Sequence, residues 1–257
     1  MNASKLIVGT AILLISVIAH PAVDAQKVLV ASDAIRNPGK PFSVTVTLTE
    51  FKNGRQVDSS TLVTYSRPME KDGQVFSLVR FAAPARDTGK LMLKSGNDLW
   101  FFDPTTKASV RLSPQQRLLG QASNGDVVTV NFARDYKATL VAEEEIQDGD
   151  RKTRRTRKLG LTAAVGDSTY AMIELWVDAD NDRPLKGRFF ADSGRLLKTV
   201  FYRRFQLQLG ADRPTEAVII DGLDPQSVTL MRFSDYVARN IPATWFHVEY
   251  LPRFQPE

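Results

Sequence analysis

Between Phe42 and Phe51, apolar Phe42, Val44, Val46 and Leu48 alternate with polar Ser43, Thr45, Thr47 and Thr49. That period of two predicts a strand with one buried face. Asn53-Gly54 follows, a dipeptide that tolerates the positive φ of a tight hairpin turn, and a second strand is predicted over Gln56–Tyr65. The pattern continues, with strands predicted at Val75–Phe81, Leu91–Lys94, Asp98–Asp103, Val127–Phe132, Ala138–Glu145, Thr156–Ala164, Ala171–Val177, Leu185–Phe190, Leu196–Leu209, Glu216–Ile220 and Trp245–Tyr250. Turn formers at Asp72-Gly73, Ser95-Gly96-Asn97, Asp148-Gly149, Val165-Gly166-Asp167, Asp180-Asn181-Asp182 and Ser193-Gly194 separate them, the spacing of an all-β domain built from consecutive hairpins. Leu99, Trp100, Phe101 and Phe102 stand in succession, so that strand is apolar on both faces and belongs inside a sheet.

Three short helices are expected. Ala31 to Arg36 is closed by Asn37, Pro38 and Gly39, and Ser234 to Asn240 is stopped by Pro242. Ser113 to Gly120 opens on Ser113-Pro114-Gln115-Gln116, a capping box with proline at the first helical position. This last helix carries Leu118 and Leu119 and is too short to hold alone, which makes it a candidate lid over a sheet face.

The first residues read as an export signal: Lys5 precedes an uncharged apolar run from Leu6 to Ala19, broken by His20 and Pro21. The run is shorter than the roughly 20 residues that span a bilayer, so removal is expected rather than anchoring. Val23, Asp24 and Ala25 place cleavage between Ala25 and Gln26, leaving residues 26–257 as one soluble periplasmic domain, with 1–25 as the signal peptide. The chain has no cysteine, which rules out an acylated thiol after the signal and any disulfide framework. A chain this long holds together by burial alone.

Charge and chemistry narrow the function. The formal net charge of +5 favours encounter with anionic surfaces, so peripheral membrane contact is expected. Aromatic and basic residues do not interleave as a nucleic-acid stacking platform requires. Of two histidines only His247 lies outside the signal, no GxSxG elbow occurs, and zinc would lack thiolates and a second imidazole. No enzyme activity, metal or cofactor is therefore expected. The carboxylates at Glu143, Glu144 and Glu145 and at Asp178, Asp180 and Asp182 read as solvated, because the second set lacks the glycine and terminal glutamate of a calcium loop. Arg151, Lys152, Arg154, Arg155, Arg157 and Lys158 crowd six cations into one short stretch, a candidate docking surface for an acidic partner or a solvated hairpin that discourages edge association.

One stretch carries a resemblance. Arg80, Phe81, Ala82, Ala83 and Pro84, then Leu91, Met92 and Leu93, then Ser95 through Pro104 with its Leu-Trp-Phe-Phe-Asp-Pro ending, resemble the outer-membrane lipoprotein-sorting (LolA-like) carrier family. Trp176, Asp178, Arg183, Pro184, Leu185, Lys186, Ser193, Gly194 and Lys198 look like a later part of the same broader family, so the likeness covers about residues 60 to 205. Leu118-Leu119 and the Ser123-Asn124-Gly125-Asp126 turn look more like its broader uncharacterised branch. The resemblance implies an unclosed, curved antiparallel sheet, a half-barrel, with short helices as a lid over an apolar concavity. It implies a non-enzymatic carrier of lipid or lipoprotein acyl chains, working as a monomer, with an inner-membrane transporter as a possible donor. Phe81, Leu91, Leu93, Leu99, Phe101, Ile173, Leu175 and Phe189 are the candidate lining, although the bare pattern fits a filled core equally. In dedicated carriers an arginine before a proline helps hold the lid, and Arg67-Pro68 is the nearest match here. The competing function is an envelope adaptor that binds protein and holds no ligand, which a filled interior with an exposed patch would favour.

Overall fold

The computed structural model describes residues 23–69, 73–96, 98–164 and 168–255. The predicted signal up to residue 22, Asp72, Asn97 and the Val165-Gly166-Asp167 turn lie outside them. The chain opens on α1 (Ala25–Arg36) and runs through β1 (Phe42–Lys52), β2 (Arg55–Pro68), β3 (Val75–Ala83), β4 (Leu91–Ser95), β5 (Asp98–Asp103) and β6 (Ala108–Leu112). A long connection holds the two-stranded β7 (Arg117–Leu119) and β8 (Ala122–Ser123) and the single turn α2 (Phe132–Asp135). The chain then returns through β9 (Tyr136–Gln147), β10 (Thr153–Ala163), β11 (Met172–Asp178), β12 (Pro184–Phe190), β13 (Leu196–Gln208), β14 (Ala211–Asp221) and β15 (Ser227–Ala238).

Thirteen of these strands make one antiparallel sheet in the order β6-β5-β4-β3-β2-β1-β15-β14-β13-β12-β11-β10-β9. Each half is a run of hairpins, and β1 and β15 join the halves in the middle. The Asn53-Gly54 turn forms as the dipeptide predicts, with φ of 50° and 74°. β6 and β9 are the two edges and do not pair, so the sheet is unclosed. It is nevertheless strongly curled. Leu99 of β5 and Leu159 of β10 would stand roughly 45 Å apart in a flat sheet, yet they belong to one apolar cluster.

That cluster lines the inside of the curl. Val44, Val46 and Leu48 of β1, Leu62 of β2, Val79 and Phe81 of β3, Ile173, Leu175 and Val177 of β11 and Ile219 of β14 all contribute, covered by Val28 and Leu29 of α1. A second cluster lies on the outer face of β2 to β5. There Tyr65, Leu78, Leu91, Leu93 and Phe102 are covered by the C-terminal segment through Ile241, Trp245, Phe246 and Leu251.

Several local expectations change. Ser113–Gly120 is not a helix: Leu118 and Leu119 sit in the β7–β8 hairpin, whose Gly120 turns at a φ of +53° against Glu50 and Thr229. The capping box forms instead ten residues later, where the Ser123 amide donates to Asp126 at 2.7 Å. Val127–Phe132 is not a strand: it crosses the concavity as irregular chain up to the start of α2 at Phe132, its polar groups bonded to Thr64, Ser66 and Ser77 of the sheet and to Arg36 and Asn37 at the end of α1. Ser234–Asn240 continues as strand through Ala238, paired with β1, and Trp245–Tyr250 forms 3₁₀ turns. The helix predicted at Ala31 starts earlier, at Ala25, where Asp24 accepts from the amides of Gln26 and Lys27. The strands β6 and most of β15 carry no clear alternation that predicts them.

Candidate functional site

The connection from Ser113 to Asp135 leaves one edge of the sheet at β6 and enters the other at β9, so it has to cross the mouth of the curl. Its backbone is held by polar attachments, while Ala122, Val127, Val128 and Phe132 pack into the inner cluster. Thr64 Oγ1 of β2 donates to the Val127 carbonyl at 3.0 Å, Ser66 and Thr129 share a hydroxyl contact of 2.7 Å, and the Thr129 amide donates to Ser77 at 3.1 Å. The Gln121 amide donates to Thr229 Oγ1 at 2.8 Å. Gly125 sits so close to Thr169 that a Cβ would collide with it. These side chains satisfy backbone groups that a strand ladder would otherwise pair.

The inward end of α1 closes the same opening. Asp33 accepts from the Ala133 amide at 2.8 Å and from Arg36 at 2.8 Å, and Arg36 also donates to the Val130 carbonyl at 2.9 Å while lying 3.8 Å over the Phe132 ring. Burial raises the Asp33 carboxyl, and Arg36 and the Ala133 amide oppose that rise. Gln26 donates to the Ala133 carbonyl at 2.8 Å and accepts from the Ala138 amide at 2.9 Å, tying the start of the helix to β9.

A buried polar group stands where this connection, a strap across the mouth of the curl, meets β13. Lys198, with a side chain 4% exposed, is ion-paired to Asp126 of the strap. Asp126 also accepts from the Tyr170 hydroxyl at 2.8 Å. Burial lowers the Lys198 ammonium, with Asp126 acting against it, while burial and Asp126 push the Tyr170 hydroxyl well above its ordinary value. Burial also lifts Tyr136, whose hydroxyl donates to the Tyr170 carbonyl at 3.0 Å, to about 12.

One hollow lies beneath the strap and another beneath the hairpin. The first, about 130 Å³, lies between the strap, α1 and the floor of Val44, Val46, Val200, Ile219 and Met231. The second, about 330 Å³, opens under the β7–β8 hairpin between Phe81, Phe101, Leu112, Leu118 and Leu119, with Arg86, Lys90 and Arg117 beside them. Organic ligands usually occupy roughly 300 to 1,000 Å³, so the first hollow is too small for such a ligand while the strap stays down. Among the described residues no helix is long and apolar enough to cross a membrane, and no group of three or more His, Asp or Glu side chains is placed to hold a metal ion.

Comparison with known proteins points one way. A family model described as an uncharacterized protein matches residues 73–253. A LolA superfamily protein from Nitrosomonas europaea is 36% identical, with a TM-score of 0.79, over 89% of this chain and 100% of its own. The chain belongs to the LolA superfamily. Two more distant structures share the fold: a DUF1329 family protein from Desulfovibrio piger (21% identity, TM-score 0.74, 88% of this chain and 97% of that one) and an outer membrane lipoprotein-sorting protein domain from Vibrio parahaemolyticus (19% identity, TM-score 0.74, 89% and 98%). No curated protein matches.

Within this LolA-superfamily sheet the expected lining residues divide. Phe81, Leu99, Phe101, Ile173, Leu175 and Phe189 belong to the inner cluster, Phe189 beside the first hollow and Phe81 and Phe101 beside the second. Leu91 and Leu93 do not join them. The pairings Val79↔Met92 and Met92↔Phe101 turn Met92 inward, so its neighbours pack outward beneath the C-terminal segment. Arg67 is also on the outer side, donating to the Ile241 carbonyl at 2.8 Å, so it holds the C-terminal segment rather than the strap.

The basic stretch is largely ion-paired, with two of its partners, Asp180 and Asp182, drawn from the acidic sets read as solvated. Arg154 pairs with Asp148 at 3.1 Å, Arg155 with Asp180 at 2.6 Å, Arg157 with Asp182 at 3.2 Å and Lys158 with Glu174 at 2.7 Å. Glu144 accepts from the Trp176 indole at 2.6 Å. Only Arg151 and Lys152, at the β9–β10 turn, carry no ion pair among the described residues. The strap's Thr129, Asp126 and the facing Lys198 were missed as site residues, since nothing local marks a lysine in a strand as buried.

Proposed function

We propose that this chain is a periplasmic, non-enzymatic carrier that takes the acyl chains of a lipid or lipoprotein into the concavity and carries them toward the outer membrane, working as a monomer. The observation that carries the reading is a concave apolar face covered by a strap whose backbone bonds to sheet side chains instead of extending the sheet. Such bonds exchange for water at a net cost of about 1 kcal/mol each, so the cover detaches without unravelling a strand. Each acyl methylene that enters gains about 0.8 kcal/mol, enough for a chain of ordinary length to offset several such bonds. The name of the Vibrio parahaemolyticus structure, an outer membrane lipoprotein-sorting protein domain, supports the choice of cargo, and an inner-membrane transporter is the natural donor for a carrier in that compartment. Peripheral contact with membranes or acidic partners falls to Arg151 and Lys152 at the β9–β10 turn.

Protein purified from its native periplasm, extracted with organic solvent and analysed by mass spectrometry, is expected to release acylated molecules in near-stoichiometric amount. Extracts free of acyl chains, together with no uptake of a fluorescent fatty acid in vitro, would return the adaptor reading.

A further inference from the structure

We infer that Lys198 and Tyr170 form a cryptic anion site inside the concavity, occupied by Asp126 while the strap is down, and that the cargo is an anionic amphiphile whose headgroup takes the place of that carboxylate. The inference rests on the carrier reading and specifies its substrate class.

The partners of this site come from two different elements. Lys198 projects from β13, and the oxygen atoms around its ammonium are the Asp126 carboxylate and, at 3.4 Å, the Gln121 carbonyl, both on the strap. What the rest of the molecule offers is ring face: Tyr170 at 4.9 Å and Phe189 at 5.7 Å from the ammonium. Asp126 has one oxygen on Lys198 and the Ser123 amide and the other on the Tyr170 hydroxyl. Among the described residues these strap groups and Ser123 Oγ are the acceptors, so lifting the strap removes them together and leaves the ammonium and a phenol hydroxyl pointing at one vacated position. A buried charge deprived of its partner is strongly destabilising, so a neutral lipid that displaced the strap would meet that penalty in full. A phosphate or carboxylate head would relieve it, with one oxygen for each donor, as charge-assisted hydrogen bonding favours. The apolar floor of the first hollow, including Phe189 and Val200, adjoins the site and receives the tail.

The full mature chain is titrated with decyl phosphate, decanol and inorganic phosphate by calorimetry below the micellar range. Decyl phosphate is expected to bind at least tenfold more tightly than decanol, and inorganic phosphate not measurably. Lys198→Met is expected to abolish the preference while keeping decanol binding. Asp126→Asn, which removes the competing negative charge without touching the two donors, is expected to tighten decyl phosphate several-fold and serves if Lys198→Met fails to fold. Equal affinity for decyl phosphate and decanol in the unmodified protein overturns the anion site and spares the carrier. Inorganic phosphate binding as well as decyl phosphate overturns the amphiphile. Failure of all three probes to bind removes the carrier reading and this inference with it.

Discussion

Met92 has Leu91 and Leu93 on either side, and the face each of the three occupies decides what it does. Leu93 is fully buried in the outer cluster, together with Trp245 and Phe246. Truncating it leaves a cavity that the C-terminal segment cannot refill, so Leu93→Ala is expected to cost about 3 kcal/mol in urea unfolding while leaving fatty-acid uptake unchanged. Phe101→Asp is expected to do the reverse in emphasis, cutting uptake because it sets an unpaired charge beside the second hollow. A Leu93 variant that loses uptake at full stability would contradict the assignment of faces. In three consecutive apolar residues nothing alternates, so the sequence carries no sign of which points inward; the sign comes from pairing with β3, a long-range fact. Where polar residues do alternate, as from Phe42 to Thr49, the inward set is legible and the structure keeps it.

At the level of elements, Glu216 on β14 stitches three strands. It accepts from Arg203 and Arg204 of β13 at 2.9 Å each and from Arg232 of β15 at 3.0 Å. Burial alone would raise its carboxyl, but the arginines outweigh that and hold it below the usual 4.5. A carboxylate held low in the folded state contributes stability in full above its unfolded value, and that contribution is lost as pH falls through the folded value. Unfolding free energy is therefore expected to decline below about pH 4.5, and Glu216→Gln to flatten that decline while costing about 2 kcal/mol at neutral pH. Urea melts across the acid range check both; an unaltered acid profile in the variant would assign the sensitivity to other carboxylates, such as Asp148 and Asp221, also held low. Element types followed the pattern wherever hairpins repeat. They failed along the strap, where Ser113-Pro114-Gln115-Gln116 has the letters of a cap but the chain is held by Thr229, Thr64 and Ser77 from distant strands. The acidic and basic runs were legible singly, but their mutual pairing needed the register of β9 to β12.

For the molecule as a whole, the carrier reading requires the strap to leave the sheet, and the absence of native cysteine makes this directly testable. Ser66 and Thr129 hydroxyls lie 2.7 Å apart across the strap–sheet junction, so the pair Ser66→Cys and Thr129→Cys is placed to cross-link. The oxidised protein is expected to lose uptake of acylated probes and to regain it on reduction, with thermal melting raised in the oxidised form. Uptake that is indifferent to the cross-link would mean that cargo enters through the second hollow with the strap in place. The path of that strap has one more consequence. Because it joins the two free edges of the sheet, from Leu112 to Tyr136, it behaves as a rope between two rims rather than as a door on one hinge. Drawn out it reaches roughly 75 Å at about 3.3 Å per residue, and most of that length is coiled up in its hairpin and turns. On the carrier reading, releasing those turns one after another would pay out slack, so the gap between β6 and β9 would widen by steps and fit cargoes of different girth, up to a limit set by the chain itself.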